Sequence, residues 1–168
     1  MAFDLQPTLV GERVRMRPLG AGDFDALYAV ARDPLIWEQH PQSDRWREPV
    51  FHQFFESGMA CGGALLALER SSGVVIGSSR FYGFDDAAGE VEIGWSFLAR
   101  SHWGGGWNGE MKQLMIAHAF RYVPTVKFRV GLSNLRSQAA MAKIGGLAPA
   151  RGLDSRGEPG LIYSFTRP

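Results

Sequence analysis

The sequence predicts a mixed α/β (α+β) fold, with a largely antiparallel central sheet flanked by about four helices. Three observations predict it. Segments with a period of two residues and segments with a helical period alternate in the order β-αα-βββ-α-β-α-ββ. The strands at the centre of that order follow one another through short turns, the connection that antiparallel neighbours permit. Over 168 residues the chain shows no internal repeat and no linker-like stretch, so one domain over 1–168 is expected.

Val14-Arg15-Met16-Arg17-Pro18 alternates apolar and basic residues and reads as the first strand, closed by Pro18 and Gly20. From Asp23 to Arg32 the residues Phe24, Leu27, Tyr28, Val30 and Ala31 fall at helical spacing. The stretch from Leu35 to Glu48 is irregular, broken by Pro41, and holds Trp37 and Trp46. A second amphipathic helix is expected from about Pro49 to Met59, with Val50, Phe54 and Phe55 on one face. Ala64 to Leu68 and Val74 to Tyr82 read as antiparallel strands around the Ser71-Ser72-Gly73 turn. Val91 to Phe97 is a third strand after the acidic turn at Asp85 and Asp86. Gly106 to Tyr122 carries the longest apolar stripe (Met111, Leu114, Met115, Ala119, Tyr122) and is stopped by Pro124. Lys127 to Leu132 is a strand, and Leu135 to Ile144 a short helix ended by Gly145-Gly146. Strands near Leu147 to Arg151 and at Gly160 to Thr166 close the order.

Composition excludes several function classes. A formal net charge of +1, without a concentrated basic-aromatic motif, gives no footprint for nucleic acid or a membrane surface. The single cysteine, Cys61, excludes an intrachain disulfide framework and a cysteine-rich zinc site, and reads as a small half-buried thiol. His40, His52 and His118 show no metal spacing, so no metal is expected. No segment is apolar for long enough to span a bilayer, and the first residues lack the features of a signal peptide. A cytoplasmic protein is the expectation.

The most informative stretch is Trp103-Gly104-Gly105-Gly106-Trp107-Asn108-Gly109-Glu110, between a strand and the longest helix. Consecutive glycines let backbone N–H groups approach a ligand with no Cβ in the way. The helix that follows adds unpaired N–H groups and the positive end of its dipole. Together they suit a phosphate or pyrophosphate. Gly104, Gly106 and Gly109 match Gly-x-Gly-x-x-Gly, yet no Asp or Glu occurs from Met111 to Leu153 to hold a dinucleotide's ribose. Glu110 stands where a P-loop needs Lys-Ser/Thr. A bare glycine turn without a ligand is the remaining alternative. The acid-free segment holds Lys112, Arg121, Lys127, Arg129, Arg136, Lys143 and Arg151, a solvated face that also suits an anionic cofactor.

With this loop in place, the chain resembles the GNAT superfamily of acyl-CoA-dependent N-acyltransferases. Trp103 to Asn108 occupies the family's Gln/Arg-x-x-Gly-x-Gly/Ala motif; its central glycine is Gly106, while Trp103 and Asn108 depart from the pattern. Glu92-Ile93-Gly94-Trp95, Asn108-Gly-Glu110, His118-Ala119-Phe120 and Asn134-Leu-Arg-Ser137 leading to Lys143-Ile144-Gly145 resemble the ribosomal-protein N-terminal acetyltransferase (RimJ/RimL-like) branch. So does the opening from Leu9 through Arg13 and Arg17, which resembles that branch's first strand. The resemblance runs through essentially the whole chain in order.

The resemblance implies acetyl-CoA (CoA) as cofactor and transfer of its acetyl group to a primary amine, on a protein N-terminus or a small molecule. It also implies that the cofactor's phosphates sit on Trp103, Gly104, Gly105, Gly106, Trp107, Asn108 and Gly109. The pantetheine arm would then pair with the backbone of Phe97, Leu98 and Ala99 and reach Asn134. An amine must lose a proton before attack, and Glu92 is the candidate general base by its position; a structural carboxylate paired with an arginine is the other reading. Asn134 and Ser137 match an Asn-x-x-Ser beside the thioester, with Ser137 able to protonate the departing thiolate; helix capping explains Asn134 equally. Met141 stands where many relatives carry a tyrosine acid. For the acceptor, Trp37, His40, Phe81 and Tyr82 are the candidate lining residues, with Trp46 and Phe54 beside them. Glu110 is a candidate capping carboxylate for the glycine loop, while His102 and Glu158 read as ordinary surface groups. Resembling proteins are often homodimers, which the exposed aromatics would permit. A non-catalytic acyl-CoA sensor or scaffold of the same fold is the alternative reading.

Overall fold

The computed structural model describes residues 2–168. One eight-stranded sheet forms its centre. The chain opens with a hairpin, β1 (Leu9–Val10) and β2 (Val14–Pro18), followed by α1 (Phe24–Ala31) and α2 (Glu48–Cys61). Three strands come next, β3 (Ala64–Glu69), β4 (Val75–Asp85) and β5 (Glu90–Leu98), and then α3 (Trp107–Ala119). The order closes with β6 (Thr125–Gly131), α4 (Leu135–Lys143), β7 (Ala150–Leu153) and β8 (Pro159–Thr166). In space the strands run β1-β2-β3-β4-β5-β6-β8-β7. Every neighbouring pair is antiparallel except β5 and β6, which are parallel through the α3 crossover. The expected α/β fold is thus present, with four α-helices on a mostly antiparallel sheet.

Local chemistry explains the element ends. Pro49 sits in the first turn of α2, where its missing N–H is no loss, and Gly62 ends the helix at φ 71°. At the end of β2, Arg17 makes a two-pronged pair with Asp23 at 2.8 Å, and Asp23 also accepts from the Gly20 N–H at 2.7 Å. The Arg17 hydrogen bonds hold the Asp23 carboxyl below its ordinary value and fix the entry to α1. Three expectations need correction. The opening is a two-strand hairpin, pairing Leu9 with Met16, and not one strand. Helix α3 stops at Ala119, so Tyr122 lies in the turn beyond it, packed edge-on against Phe3. The seventh strand starts at Ala150 instead of Leu147.

Two cores lie on opposite faces of the sheet. One joins Met16, Leu65, Phe81 and Ile93 to Met111 and Met115 of α3. The other joins Leu27, Phe51, Phe54 and Phe55 of α1 and α2 to Trp37, Leu66 and Phe97. Period-two alternation sends Phe81 to the first face and Arg80 and Tyr82 to the second. Cys61 is exposed at the end of α2, not half-buried.

The parallel pairing of β5 and β6 covers only Glu90 to Glu92 against Thr125 to Lys127. Beyond it β5 is bent by a bulge: Ser78 faces Phe97 and Arg80 faces Gly94, so β5 carries one extra residue between them. Trp95, in that bulge, has φ 56°, a strained value for a bulky side chain. The two strands therefore splay, and the wedge between them opens the middle of the sheet.

Candidate functional site

The wedge widens into a cavity of about 690 Å³, within the range of small-molecule sites. Its walls are β5 from Ile93 to Leu98, β6 from Phe128 to Gly131, the start of α3, and α4. One end is the glycine loop; the other lies between the segment around His40 to Arg45 and the β7–β8 turn at Asp154 to Arg156. Because pairing stops at Glu92, the β5 edge that faces the cavity has backbone N–H and C=O groups free for a ligand.

Gly104, Gly105 and Gly106 have φ of 75°, 60° and 84° in succession, which only glycine adopts without strain. They deliver the chain to the N-terminus of α3, whose first intrahelical bond is from the Glu110 N–H to the Gly106 carbonyl. The N–H groups ahead of Glu110 are left without helical partners. Arg13 pins the loop from outside, its Nη1 donating to the Gly105 carbonyl. The Trp103 indole donates to the Leu98 carbonyl at 3.0 Å, and the Arg136 guanidinium lies 3.9 Å from the centre of its ring. Arg13, Arg136 and Lys143 all line this end of the cavity. Open amides, a helix N-terminus and three cations fit a polyphosphate.

Of the residues expected to hold the cofactor, Phe97, Leu98, Trp103, Gly104, Gly106, Asn108, Gly109 and Asn134 line the cavity. Ala99, Gly105 and Trp107 lie behind it. The Ala99 N–H is committed to the Ile76 carbonyl, and Trp107 packs edge-on against His102 and onto the α3 core. Glu110 caps a different element from the one expected. Its carboxylate accepts from the N–H groups of Glu12, Arg13 and Val14 at 3.1, 2.9 and 2.7 Å, so it holds the β1–β2 turn and not the glycine loop.

Asn134 and Ser137 both line the cavity at the start of α4. Asn134 is the N-cap, its Oδ1 accepting from the Ser137 N–H at 3.2 Å. Its amide nitrogen and the Ser137 hydroxyl make no side-chain hydrogen bond among the described residues, so both donors are available to the cavity. Met141, one turn on, lines the same wall and offers no proton.

The acceptor residues divide. His40 lines the cavity; Trp37, Phe81, Tyr82, Trp46 and Phe54 do not. Trp37 is buried in the α1/α2 core with its indole donating to the Ala31 carbonyl, and Phe81 is buried under α3. Tyr82 pairs across the sheet with Glu92, and its hydroxyl is held protonated by burial and by that carboxylate. Glu92 stands one row behind the lining. Both its oxygens accept from Arg129 Nε at 2.9 Å, and Arg129, which does line the cavity, also donates to the Leu153 carbonyl. As it stands Glu92 is not in the lining, and its carboxylate faces Arg129.

Three basic side chains at the acceptor end were not singled out in the sequence reading as site residues. Arg45 is 6% exposed and lies 5.6, 5.0 and 5.4 Å from the ring centres of Trp37, Phe54 and Trp95. Burial, then the neighbouring Arg80, lowers it to about 10. Lys112, on α3, is 7% exposed and lowered by burial to about 8. Arg156 crosses the cavity mouth and donates to the Pro41 carbonyl. No local pattern marks these residues, because their partners come from distant elements. Burial, followed by Arg45, Arg136 and Lys112, lowers His40 to about 4, so its imidazole is neutral at pH 7.

The match to known proteins decides what this cavity belongs to. The family described as the acetyltransferase (GNAT) domain matches residues 13–146, which contain the glycine loop and all of α3 and α4. The chain belongs to the GNAT acetyltransferase family. No curated protein matches by sequence. Among solved structures, this GNAT chain is similar to an acetyltransferase from Agrobacterium tumefaciens, at 25% identity and a TM-score of 0.72, covering 96% of this chain and 95% of that one. It is also similar to a GCN5-related N-acetyltransferase from Brucella melitensis, at 18% identity and a TM-score of 0.79, over 96% and 79% of the two chains. Mycobacterium smegmatis RimJ, solved in complex with CoA-disulfide, superposes with a TM-score of 0.69 at 18% identity, over 91% and 81%. As a GNAT protein, the chain is an acetyltransferase.

Proposed function

We propose that this enzyme transfers the acetyl group of acetyl-CoA to a primary amine by direct attack in a ternary complex. The observation that carries the reading is the continuity of one cavity, from a phosphate-suited glycine loop, past an open strand edge, to a buried polar end. A RimJ of the same fold is solved in complex with CoA-disulfide, which supports CoA as the ligand class.

In this reading the amides of the Gly104–Asn108 loop would hold the pyrophosphate, and the open edge of β5 toward Asn134 would hold the pantetheine arm. The thioester would then lie in the wedge beside the Gly94–Ser96 bulge, whose backbone N–H groups would supply donors for a developing oxyanion. The acceptor amine enters between His40 and Arg45. Its nitrogen would bond to the acetyl carbon as the carbon–sulfur bond breaks, with the sulfur taking a proton from Ser137 and Ser137 regaining one from solvent. His40 is placed to accept a proton from the nitrogen of the tetrahedral intermediate, once the amine has attacked as the free base, and to pass it to solvent. It lines the cavity, it is neutral, and its ring makes no hydrogen bond among the described residues. Glu92 holds Arg129 in the acceptor wall.

The test is release of CoA thiol from acetyl-CoA in the presence of a panel of primary amines, with mass detection of the acetylated product. A general base contributes about 10²–10⁴-fold, so His40→Gln should lower kcat about a hundredfold and Glu92→Gln far less. The reverse order of effects would return the base to Glu92. No thiol release with any amine, from protein that binds acetyl-CoA, would sink the reading.

A further inference from the structure

We propose that the acceptor amine carries a carboxylate group and that Arg45 receives it at the acceptor end of the cavity. This rests on the acetyl-transfer reading above and names its substrate class.

Arg45 carries charge that the protein does not itself balance. A buried ion is costly unless it is paired and hydrogen-bonded. Arg45 has no carboxylate within ion-pair distance among the described residues, and its one side-chain hydrogen bond there runs from Nε to Gln42 Oε1 at 3.3 Å. No fully buried side-chain nitrogen or oxygen among those residues lacks a partner, so the two terminal nitrogens of Arg45 keep contact with the cavity it lines. They form the fork that binds a carboxylate end-on with two parallel hydrogen bonds.

The neighbours sharpen the point. Arg80 also lies against Phe54 and Trp95, at 4.6 and 5.0 Å from their ring centres, so two guanidinium groups share one aromatic cluster. Arg80 is satisfied by the Ser57 hydroxyl and the Phe54 carbonyl; Arg45 is not satisfied in this way. Lys112 and Arg156 add positive charge to the same lining without an ion pair among the described residues. The acid lining this end, Asp154, accepts through Oδ1 from the Arg156 and Glu158 N–H groups of its own hairpin. Glu92 is already committed to Arg129. CoA's phosphates have Arg13 and Lys143 beside the glycine loop, with Arg136 stacked on Trp103. The strained backbone of Trp95, φ 56°, holds one wall of the Arg45 cage against the cavity, which suits a preorganised site.

The test compares matched acceptors, L-amino acids against their amides, by CoA thiol release at saturating acetyl-CoA. We expect kcat/KM at least about tenfold higher for the acids, a preference lost in Arg45→Met and partly kept in Arg45→Lys. Equal use of amides, or an acid preference that survives Arg45→Met, overturns the proposal and leaves acetyl transfer standing. Aminophosphonates outperforming the amino acids would overturn the carboxylate assignment. A second readout does not need turnover. In calorimetric titration, N-acetyl-amino acids should bind the wild-type protein and their amides should not; equal binding overturns the proposal. That titration also decides the matter should Arg45→Met fail to fold. Failure of the wild type to bind acetyl-CoA in the same calorimeter would instead remove the acetyl-transfer reading.

Discussion

His40 shows how strongly environment alone can set a side chain's charge. Burial and three facing cations lower it from 6.5 to about 4, so the folded protein binds fewer protons at this site than the unfolded chain between those values. Stability from this site is therefore complete above about pH 6.5 and is lost as pH falls toward 4. The full effect is bounded at about 3 kcal/mol by the size of the shift. Chemical denaturation of His40→Gln should show a flatter stability profile than wild type over that window. Parallel profiles would mean that His40 is not buried among those cations. At this scale the sequence was only partly legible. Trp37, His40, Phe81 and Tyr82 all lay in segments expected near the acceptor, but which side of a strand or loop faces a cavity depends on packing partners. Phe81 and Tyr82 are adjacent and face opposite sides of the sheet. Arg45 was illegible because its cage draws on Trp37, Phe54 and Trp95, residues from three elements.

At the scale of elements, Glu110 binds the longest helix to the first hairpin. One carboxylate satisfies three backbone N–H groups of the β1–β2 turn, and a methyl group in place of the Gly11 hydrogen would sit 2.7 Å from it. Removing it leaves three amides short of an acceptor, and hydrogen bonds to a charged group are worth about 1.5–3 kcal/mol each, water recovering part of that. Glu110→Ala should therefore lower unfolding free energy by about 2–4 kcal/mol in urea titration. A loss below about 0.5 kcal/mol would show that water replaces the carboxylate fully. Strand and helix types were legible because their apolar periods are long: α1, α2 and β3 to β6 appear within about three residues of expectation. The exceptions have physical reasons. β1 is two residues long and has no period to read, and the partners that define Glu110's role lie 96 to 98 residues away.

Across the whole molecule, a single departure from regular pairing creates the site. A bulge in β5 and three residue pairs of parallel ladder let the sheet part, and the glycine loop and α3 close the gap from one end. The loop was legible in the sequence because three consecutive glycines before a long amphipathic helix have few purposes other than close backbone approach to an anion. The splay was not, since nothing local says where two strands stop pairing. The central claim is that this loop holds acetyl-CoA. Calorimetric titration of wild type and Gly106→Glu with acetyl-CoA tests it most directly, with a thermal melt to show that the variant folds. Gly106 has φ 84°, and a side chain there is both strained and, as glutamate, repelled by phosphate. Saturable binding to the wild type is expected, weakened at least about tenfold in a folded Gly106→Glu. No binding to the wild type at millimolar acetyl-CoA, or equal binding to both proteins, would contradict it.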